Sequence, residues 1–449
     1  MNSSHLRLAA GGALLALGVA ACGSSGHPTP SSSGTSSSSS GSTNTASAPG
    51  VTATSVTIGS TQPLTGIAAP GYSEIAPAAN AYFSYVNANG GINGRQIVYK
   101  YLDDSYNPTL TLAKTQQLIL ADHVYAIFNA LGTPTHEKVV GFLNTQKVPD
   151  LFVASGCLCW DNVAQHPYTF GWQPDYTVEG KILGKYLAAK FPGKKIAYYY
   201  QDDDFGQDGV KGLDMEIPAS QVVARVPYEL TSTNEAPLVQ RLQASGAQVV
   251  VSFSVPAYTA LLKLTMLAVN YNPQLVVSNV GSDPITLSGL LEAFAAQGGH
   301  KGLNGSPLVQ GIITDGYLSS PADPTNSWIT LFQKIHDQYI PKLPFDGNVL
   351  YGMGAAYTFA QALARAGQNP TRNSLVQAVE AGLPPGPGLV PFRYSATSHA
   401  GFTGVQIGVI SGTSIKLEGT PFTTDDGSGP VTPFTGAQAP APATGMPAG

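Results

Sequence analysis

The stretch YAIFNALGTPTHEKVVGFLN, residues 125–144, passes from an apolar run (Tyr125 to Phe128) through a Leu-Gly-Thr-Pro-Thr turn into an amphipathic helical pattern. A short apolar run bounded by turn residues reads as a buried strand, and the change to a 3.6-residue period marks the helix that follows it. Gly132 lets backbone approach a ligand closely. Thr133 offers a hydroxyl, and the N–H groups and dipole at a helix start favour a carboxylate or another anion. The plainer alternative is that Thr133 or Thr135 only caps the helix.

The same strand–helix unit recurs on both sides of this stretch. Strand patterns cover Ser55–Gly59, Gln96–Leu102 and Leu151–Ala154, and helical patterns cover Glu74–Asn87, Leu110–Ala121 and Thr135–Thr145. A segment with two prolines and three aromatics, His166–Asp175, interrupts the rhythm. It then resumes with helices at Val178–Phe191, Asp208–Ile217, Ala236–Ser245 and Pro256–Val269. Strands are expected between them at Lys195–Tyr200, Val222–Tyr228, Gln248–Phe253 and Gln274–Ser278. Alternation at this spacing predicts an α/β protein with helix-covered parallel sheets, and its doubling predicts two similar lobes. A strand at Val309–Ile313, helices at Trp328–Tyr339, Leu350–Ala366 and Thr371–Ala381, and strands at Gly404–Ile410 and Ser414–Leu417 complete those lobes.

The two ends of the chain read differently. Residues 1–21 have a weakly basic start and an apolar run of signal-peptide length, Leu8–Ala21, which is too short to span a bilayer. Small residues stand just before Cys22, the pattern of a bacterial lipoprotein signal in which the cysteine carries the lipid; a plain secretory signal with an incidental cysteine is the alternative. Residues 22–50 are almost wholly Ser, Gly, Thr, Pro and Ala, and 419–449 are rich in Pro, Ala and Gly. Such compositions bury too little apolar surface to offset ordering entropy, so a flexible tether and a disordered tail are expected. The protein is therefore expected outside the cytoplasmic membrane, held to its outer face by lipid alone.

Charged residues make up 11% of the 449, against the usual quarter or so, with a net charge of −5 and no Lys/Arg cluster. No nucleic-acid surface is expected. The sequence has no H-E-x-x-H, no G-x-S-x-G, no Walker-type loop and no G-x-G-x-x-G after a strand, and its eight histidines are scattered. Binding without catalysis, metal or cofactor is the expectation.

In open parallel sheets ligands lie beyond the carboxyl ends of the strands. Besides Gly132 and Thr133, the turns there offer Ser155 and Gly156, with the same chemistry on the adjacent strand, and QDDDFG (Gln201–Gly206). Three adjacent carboxylates cannot all face one ion, so Asp202–Asp204 reads as a solvated turn with one member towards a pocket. Cys157 and Cys159 are open to three readings: a disulfide, two small buried residues, or a nucleophile near His136 or His166.

The segment AYFSYVNANGGINGRQIVYKYLDDSYNP, residues 81–108, resembles the leucine/isoleucine/valine type of periplasmic binding protein, the extracytoplasmic receptors of branched-chain amino acid ABC transporters. The similarity continues through VYAIFNALGTPT, VPDLFVASG, DDDFGQDG and YGMGAAYTFAQALARAG, so it spans most of the folded region. The resemblance implies a type I periplasmic binding protein fold, with two Rossmann-like lobes joined by three crossover segments and closing on a ligand. It assigns residues 51–170 and 315–390 to lobe 1, and 171–314 and 391–418 to lobe 2. It implies that Gly132 and Thr133 hold the ligand's carboxylate, and that Ser155, Gly156 and Cys157 form a second binding loop. Phe205 stands where the family often has a tyrosine, and Val255 where an aromatic is common. No glutamate occurs in NVGSD (279–283), so Asp283 or Asp204 is left to receive an ammonium group. The partners implied are a small solute (an amino acid, or a related carboxylate or amide) and the permease and ATPase subunits of an importer. A sensor that presents its liganded form to a signalling partner is the alternative.

Overall fold

The computed structural model describes residues 43–448, so the signal peptide and Cys22 lie outside the described residues. Two sheets organise the chain. The first has order β2-β1-β3-β4-β5, all parallel, from β1 (Ser55–Gln62), β2 (Gln96–Asp103), β3 (Ile127–Phe128), β4 (Asp150–Val153) and β5 (Thr169–Gly171). Helices α1 (Ala69–Tyr72), α2 (Ile75–Ala88), α3 (Pro108–Gln116) and α4 (Thr133–Thr145) connect these strands. This is the βαβ arrangement, in which helices cover a parallel sheet; its interior strands β3 and β4 are buried at every position.

The second sheet carries nine strands in the order β14-β13-β11-β10-β9-β8-β6-β7, with β12 also paired to β11. Its parallel part is β6 (Ile196–Gln201), β7 (Val222–Tyr228), β8 (Val249–Phe253), β9 (Gln274–Val277) and β10 (Ile313–Gly316). Between these run α5 (Tyr176–Lys190, leading into β6), α6 (Asp204–Glu216), α7 (Ala236–Ala244), α8 (Pro256–Ala268), α9 (Pro284–Gln297) and the one-turn α10 (Ser306–Val309). After β10 the chain returns to the first lobe for α11 (Ser327–Tyr339), α12 (Gly347–Arg365) and α13 (Arg372–Glu380), with α11 and α12 packed on α2. Its last strands, β11 (Gly404–Ser411), β12 (Ser414–Leu417), β13 (Phe422–Thr423) and β14 (Thr432–Pro433), join the second. Three segments thus cross between the lobes: 172–175, 317–326 and 381–403. The expected boundary at 314/315 cuts through β10. Gly311, with φ at +76°, turns the chain before the strand begins, so Asp315 belongs to the second lobe.

The tightest helix packing in the second lobe uses glycines. A Cβ on Gly180 of α5 would lie 2.3 Å from the Gly209 carbonyl, and one on Gly212 of α6 would lie 2.2 Å from the Thr177 carbonyl. Overpacking of this kind costs about 1–3 kcal/mol. Gly212→Ala is therefore expected to lower the thermal midpoint by several degrees; a melt matching wild type would show that α5 and α6 separate freely.

Two expectations about the ends are corrected. Residues 43–48, expected as tether, are pinned to lobe 1 through the completely buried Arg95 of the NGGINGR segment. Arg95 donates Nε to Thr52 O (2.7 Å) and Nη2 to Thr45 O (2.9 Å) and to Asn369 Oδ1 (3.1 Å), and Nη1 donates to Gln368 O. Residues 419–448, expected as disordered, form two strands and a run of specific hydrogen bonds. The physical reason is the same at both ends. A few apolar side chains, Val431 among them, reach the core, and backbone carbonyls satisfy buried donors of the folded lobes; an unsatisfied buried donor costs about 1–3 kcal/mol.

Candidate functional site

A cavity of about 160 Å³ lies where the carboxyl ends of the two sheets face each other. That volume suits one small molecule; a cavity of roughly 150 Å³ holds benzene. Lobe 1 contributes Tyr72, Ile75, Tyr106, Leu131, Gly132, Thr133 and Ala154, and Asn348, Leu350 and Tyr351 from the start of α12. Lobe 2 contributes Tyr176, Phe205, Val255, Asn279, Ser282, Asp283 and Asp315, and the crossovers add Gln173, Tyr317 and Ser319.

The opening turn sits in its wall. Gly132, at φ +108°, occupies the cap position of α4, where it can offer no side chain. Neither threonine caps the helix. Thr135 Oγ1 donates to Leu131 O (2.7 Å), and Thr133 Oγ1 shares a hydrogen bond with Ser155 Oγ (2.7 Å). The phenol of Tyr176 lies near these two hydroxyls, and burial raises its pKa, so it stays protonated. First-turn N–H groups have no partner within a helix. The result is two hydroxyls, of Thr133 and Tyr176, and a helix N-terminus at a mostly apolar cavity, with Ser155 behind Thr133.

The opposite side is acidic. Among the described residues that line the cavity there is no Lys, Arg or His; the carboxyl groups are those of Asp283 and Asp315. Asp315 is fully buried beside Glu179, and burial first, then that neighbour, raises its pKa well above the usual carboxylate range. Asn279 holds both, its Nδ2 on Asp315 Oδ1 (3.0 Å) and its N–H on Glu179 Oε1 (2.9 Å). Asp315 Oδ2 and Glu179 Oε2 have no hydrogen-bond partner, and burial next to a second carboxyl favours the protonated form of Asp315. Asp283 caps α9 through Thr286 N (2.9 Å) and reaches across the cleft to Gly347 N (3.1 Å). There it meets Asp346, pushed up to about 8 by burial and by the neighbouring Asp283 and Glu74. Further bonds join the lobes directly, including Tyr72 Oη to Val280 O (2.9 Å) and Leu158 N to Asp208 Oδ2 (2.8 Å).

Of the residues expected at the site, Gly132, Thr133, Phe205, Val255 and Asp283 line the cavity. Ser155 stands behind Thr133. Three are elsewhere. Gly156 turns away, because its carbonyl accepts from Tyr176 N (2.7 Å) and the preceding Ala154 takes the wall position. Cys157 packs in a small cluster with Val140, Val153 and Trp160. Asp204 is exposed next to Glu137, while Asp203 caps α6 through Phe205 N (3.0 Å). Cys157 and Cys159 are joined, with sulfur atoms 2.17 Å apart. His136 is held by Asp150 (2.7 Å), and His166 approaches only the Cys159 carbonyl, so neither ring serves a thiol. The sequence reading missed five cavity tyrosines, Gln173, Asn348 and Asp315. Tyr176 had a signal, since it opens the helix that follows the aromatic break; the others come from separate elements.

Two lobes with parallel sheets, three crossovers and a cavity between facing strand ends define a bilobal binding protein. Residues 55–411 match the periplasmic binding protein family, and the chain belongs to it. Among curated proteins it is similar to Leu/Ile/Val-binding protein homolog 3 of Brucella melitensis, 24% identical over 207 residues, and to an amino acid binding protein of Pseudomonas aeruginosa, 25% identical over 208 residues. These matches cover 43% of this chain and only about half the length of those relatives, 53% and 52% respectively. Among solved structures, a branched-chain amino acid ABC transporter protein of Thermus thermophilus with bound valine superposes with TM-score 0.71, at 17% identity over 83% of this chain and 97% of that one. A fatty acid ABC transporter substrate-binding protein of Thermomonospora curvata gives 0.69, at 20% identity over 86% and 98%. The fold is the type I periplasmic binding protein fold.

Proposed function

We propose that the protein is the exported solute-binding component of an ABC importer. It takes a small amino acid or related carboxylate or amide between its lobes and passes it to permease and ATPase subunits. The observation that carries this reading is the cavity's two-sided chemistry. The α4 N-terminus with the Thr133 and Tyr176 hydroxyls, the first held by Ser155, suits a carboxylate or carbonyl oxygen. Asp283 and Asp315 suit a hydrogen-bond-donating or cationic end, and the apolar walls suit the body between them. Hinge closure is the motion such contacts drive, because a ligand that touches both lobes binds the closed form best.

The test is a thermal-shift screen of amino acids, their amides, short-chain acids and fatty acids. A solute at 100 times its Kd adds about 2.7 kcal/mol of stability. A shift confined to fatty acids, or no shift from any class, would overturn the proposed solute class.

The lipid anchor belongs to the same proposal. Among the described residues no helix is long and apolar enough to cross a membrane. Cys22→Ser is expected to move the protein from the membrane fraction to the soluble fraction. A variant that stays with membranes after a salt wash would end the lipoprotein reading.

A further inference from the structure

The C-terminal segment makes a fourth connection between the lobes. It is first tied to lobe 2. Residues 425–429 wrap the Lys181 ammonium on α5, whose side chain is 1% exposed. Lys181 Nζ donates to the carbonyls of Asp425 (2.8 Å), Gly427 (2.6 Å) and Gly429 (2.9 Å), and lies 3.1 Å from Asp425 Oδ1. Lys185 Nζ then holds Val431 O (2.7 Å), and β13 and β14 extend the sheet edge beyond β11.

The chain next crosses to lobe 1. Trp328 Nε1 on α11 donates to Ala439 O (2.7 Å), and the Tyr85 and Tyr82 phenols on α2 donate to Thr444 O (2.7 Å) and Gly445 O (2.9 Å). Between these anchors the Gln438 side chain meets the hinge itself. Its Oε1 accepts from Asn326 Nδ2 (2.7 Å) and Ser319 Oγ (3.2 Å) in one crossover, and its Nε2 donates to Pro387 O (2.6 Å) in another. Prolines at 440, 442 and 447 stiffen the run and lower the entropy of ordering it.

Opening a two-lobed protein concentrates its φ/ψ changes in the crossover segments. A segment bonded to both lobes, and to two crossovers through one amide, resists that rotation. We infer that residues 419–448 are a hinge brace that limits how far the lobes open and slows solute exchange. This rests on the solute-binding reading only for the consequence on exchange; the mechanical role stands without it.

The test therefore uses ligand-free protein. Spin labels at Leu110→Cys and Leu267→Cys, exposed positions on α3 and α8, report the interlobe distance in a Cys22→Ser background. A chain ending at Phe434 keeps the lobe 2 anchor and loses the lobe 1 anchor. Its distance distribution is expected to broaden and move to longer values, and Gln438→Ala in the full chain is expected to broaden it in the same direction. If the shortened chain fails to fold, Gln438→Ala decides. Distributions matching the full chain overturn the brace. A failed solute screen with a broadened distribution would remove the transport reading and leave the brace standing.

Discussion

Thr133→Val is expected to weaken solute binding ten- to hundredfold while the thermal midpoint of the ligand-free protein stays close to wild type. The substitution keeps shape and volume but removes the hydroxyl. One hydrogen bond to a charged group is worth about 1.5–3 kcal/mol, and each 1.4 kcal/mol is tenfold in affinity. The structure separates this effect from helix capping, because the cap position belongs to Gly132 and the Thr133 hydroxyl bonds to Ser155 instead. Ser155 keeps a second contact, from Cys157 N (3.2 Å), so its oxygen is not orphaned by the change. Measuring Kd and melting temperature together checks the assignment. Unchanged affinity with a lowered melting point would make the hydroxyl structural.

The second large effect is on pH dependence. Glu74 and Asp346 of lobe 1 meet Asp283 of lobe 2 across the cleft. Burial, with the charges of Asp283 and Glu74, raises the pKa of Asp346 to about 8; burial and Asp283 raise that of Glu74, and burial raises that of Asp283. Opening lets water reach these groups, so their pKa values fall towards the ordinary carboxylate value of about 4. The closed form therefore binds more protons than the open form in the window between. Closure is favoured at the acid end of that window and loses strength as pH rises towards 8, where Asp346 of the closed form also ionises. Linkage sets the slope. For an amino acid that does not itself titrate there, Kd is expected to rise by up to about tenfold per pH unit from about pH 5 to 8 and then level off. Asp315 and Glu179 both belong to lobe 2, so their mutual repulsion persists on opening, and only the part of the Asp315 shift that comes from covering the cavity adds to this slope. Glu74→Gln should flatten the profile, since the amide donates to Asp346 without repelling it. A Kd independent of pH in the wild type would show that the three carboxyls do not respond to closure.

Much of the fold was legible because parallel strands buried on both faces are continuous apolar runs, and helices in βα units start and stop at recognisable residues. Thr133–Thr145, Val222–Tyr228 and Ser414–Leu417 stand within a few residues of their sequence boundaries. Helix α9 was missed although its signal was present: Asp283 as cap, Pro284 in the first turn and an apolar run after it. Strand β5 is three residues long and lies within the aromatic break, where no period can show. The C-terminal segment was misread for a deeper reason. Its order comes from Lys181, Trp328 and the tyrosines of α2, donors more than 100 residues away in sequence, and composition carries no trace of them.

The site divides in the same way. Gly132 and Thr133 were legible because one local turn creates their chemistry. Asp315 was not, because its position on β10 gains meaning only when that strand crosses to end beside Asn279 and Glu179. The same holds for Tyr72, Tyr106, Tyr317 and Tyr351, which four separate segments bring to one cavity.

The central claim is that one small solute occupies the cavity between the facing strand ends. Ala154 lines that cavity beside Thr133, and Ala154→Trp would fill it. Titration calorimetry of the solute that gives the largest thermal shift, against wild type and this variant, tests the claim most directly. Saturable one-to-one binding to the wild type and no detectable heat from a folded Ala154→Trp protein are expected. Equal affinity in both would place the solute elsewhere and contradict it.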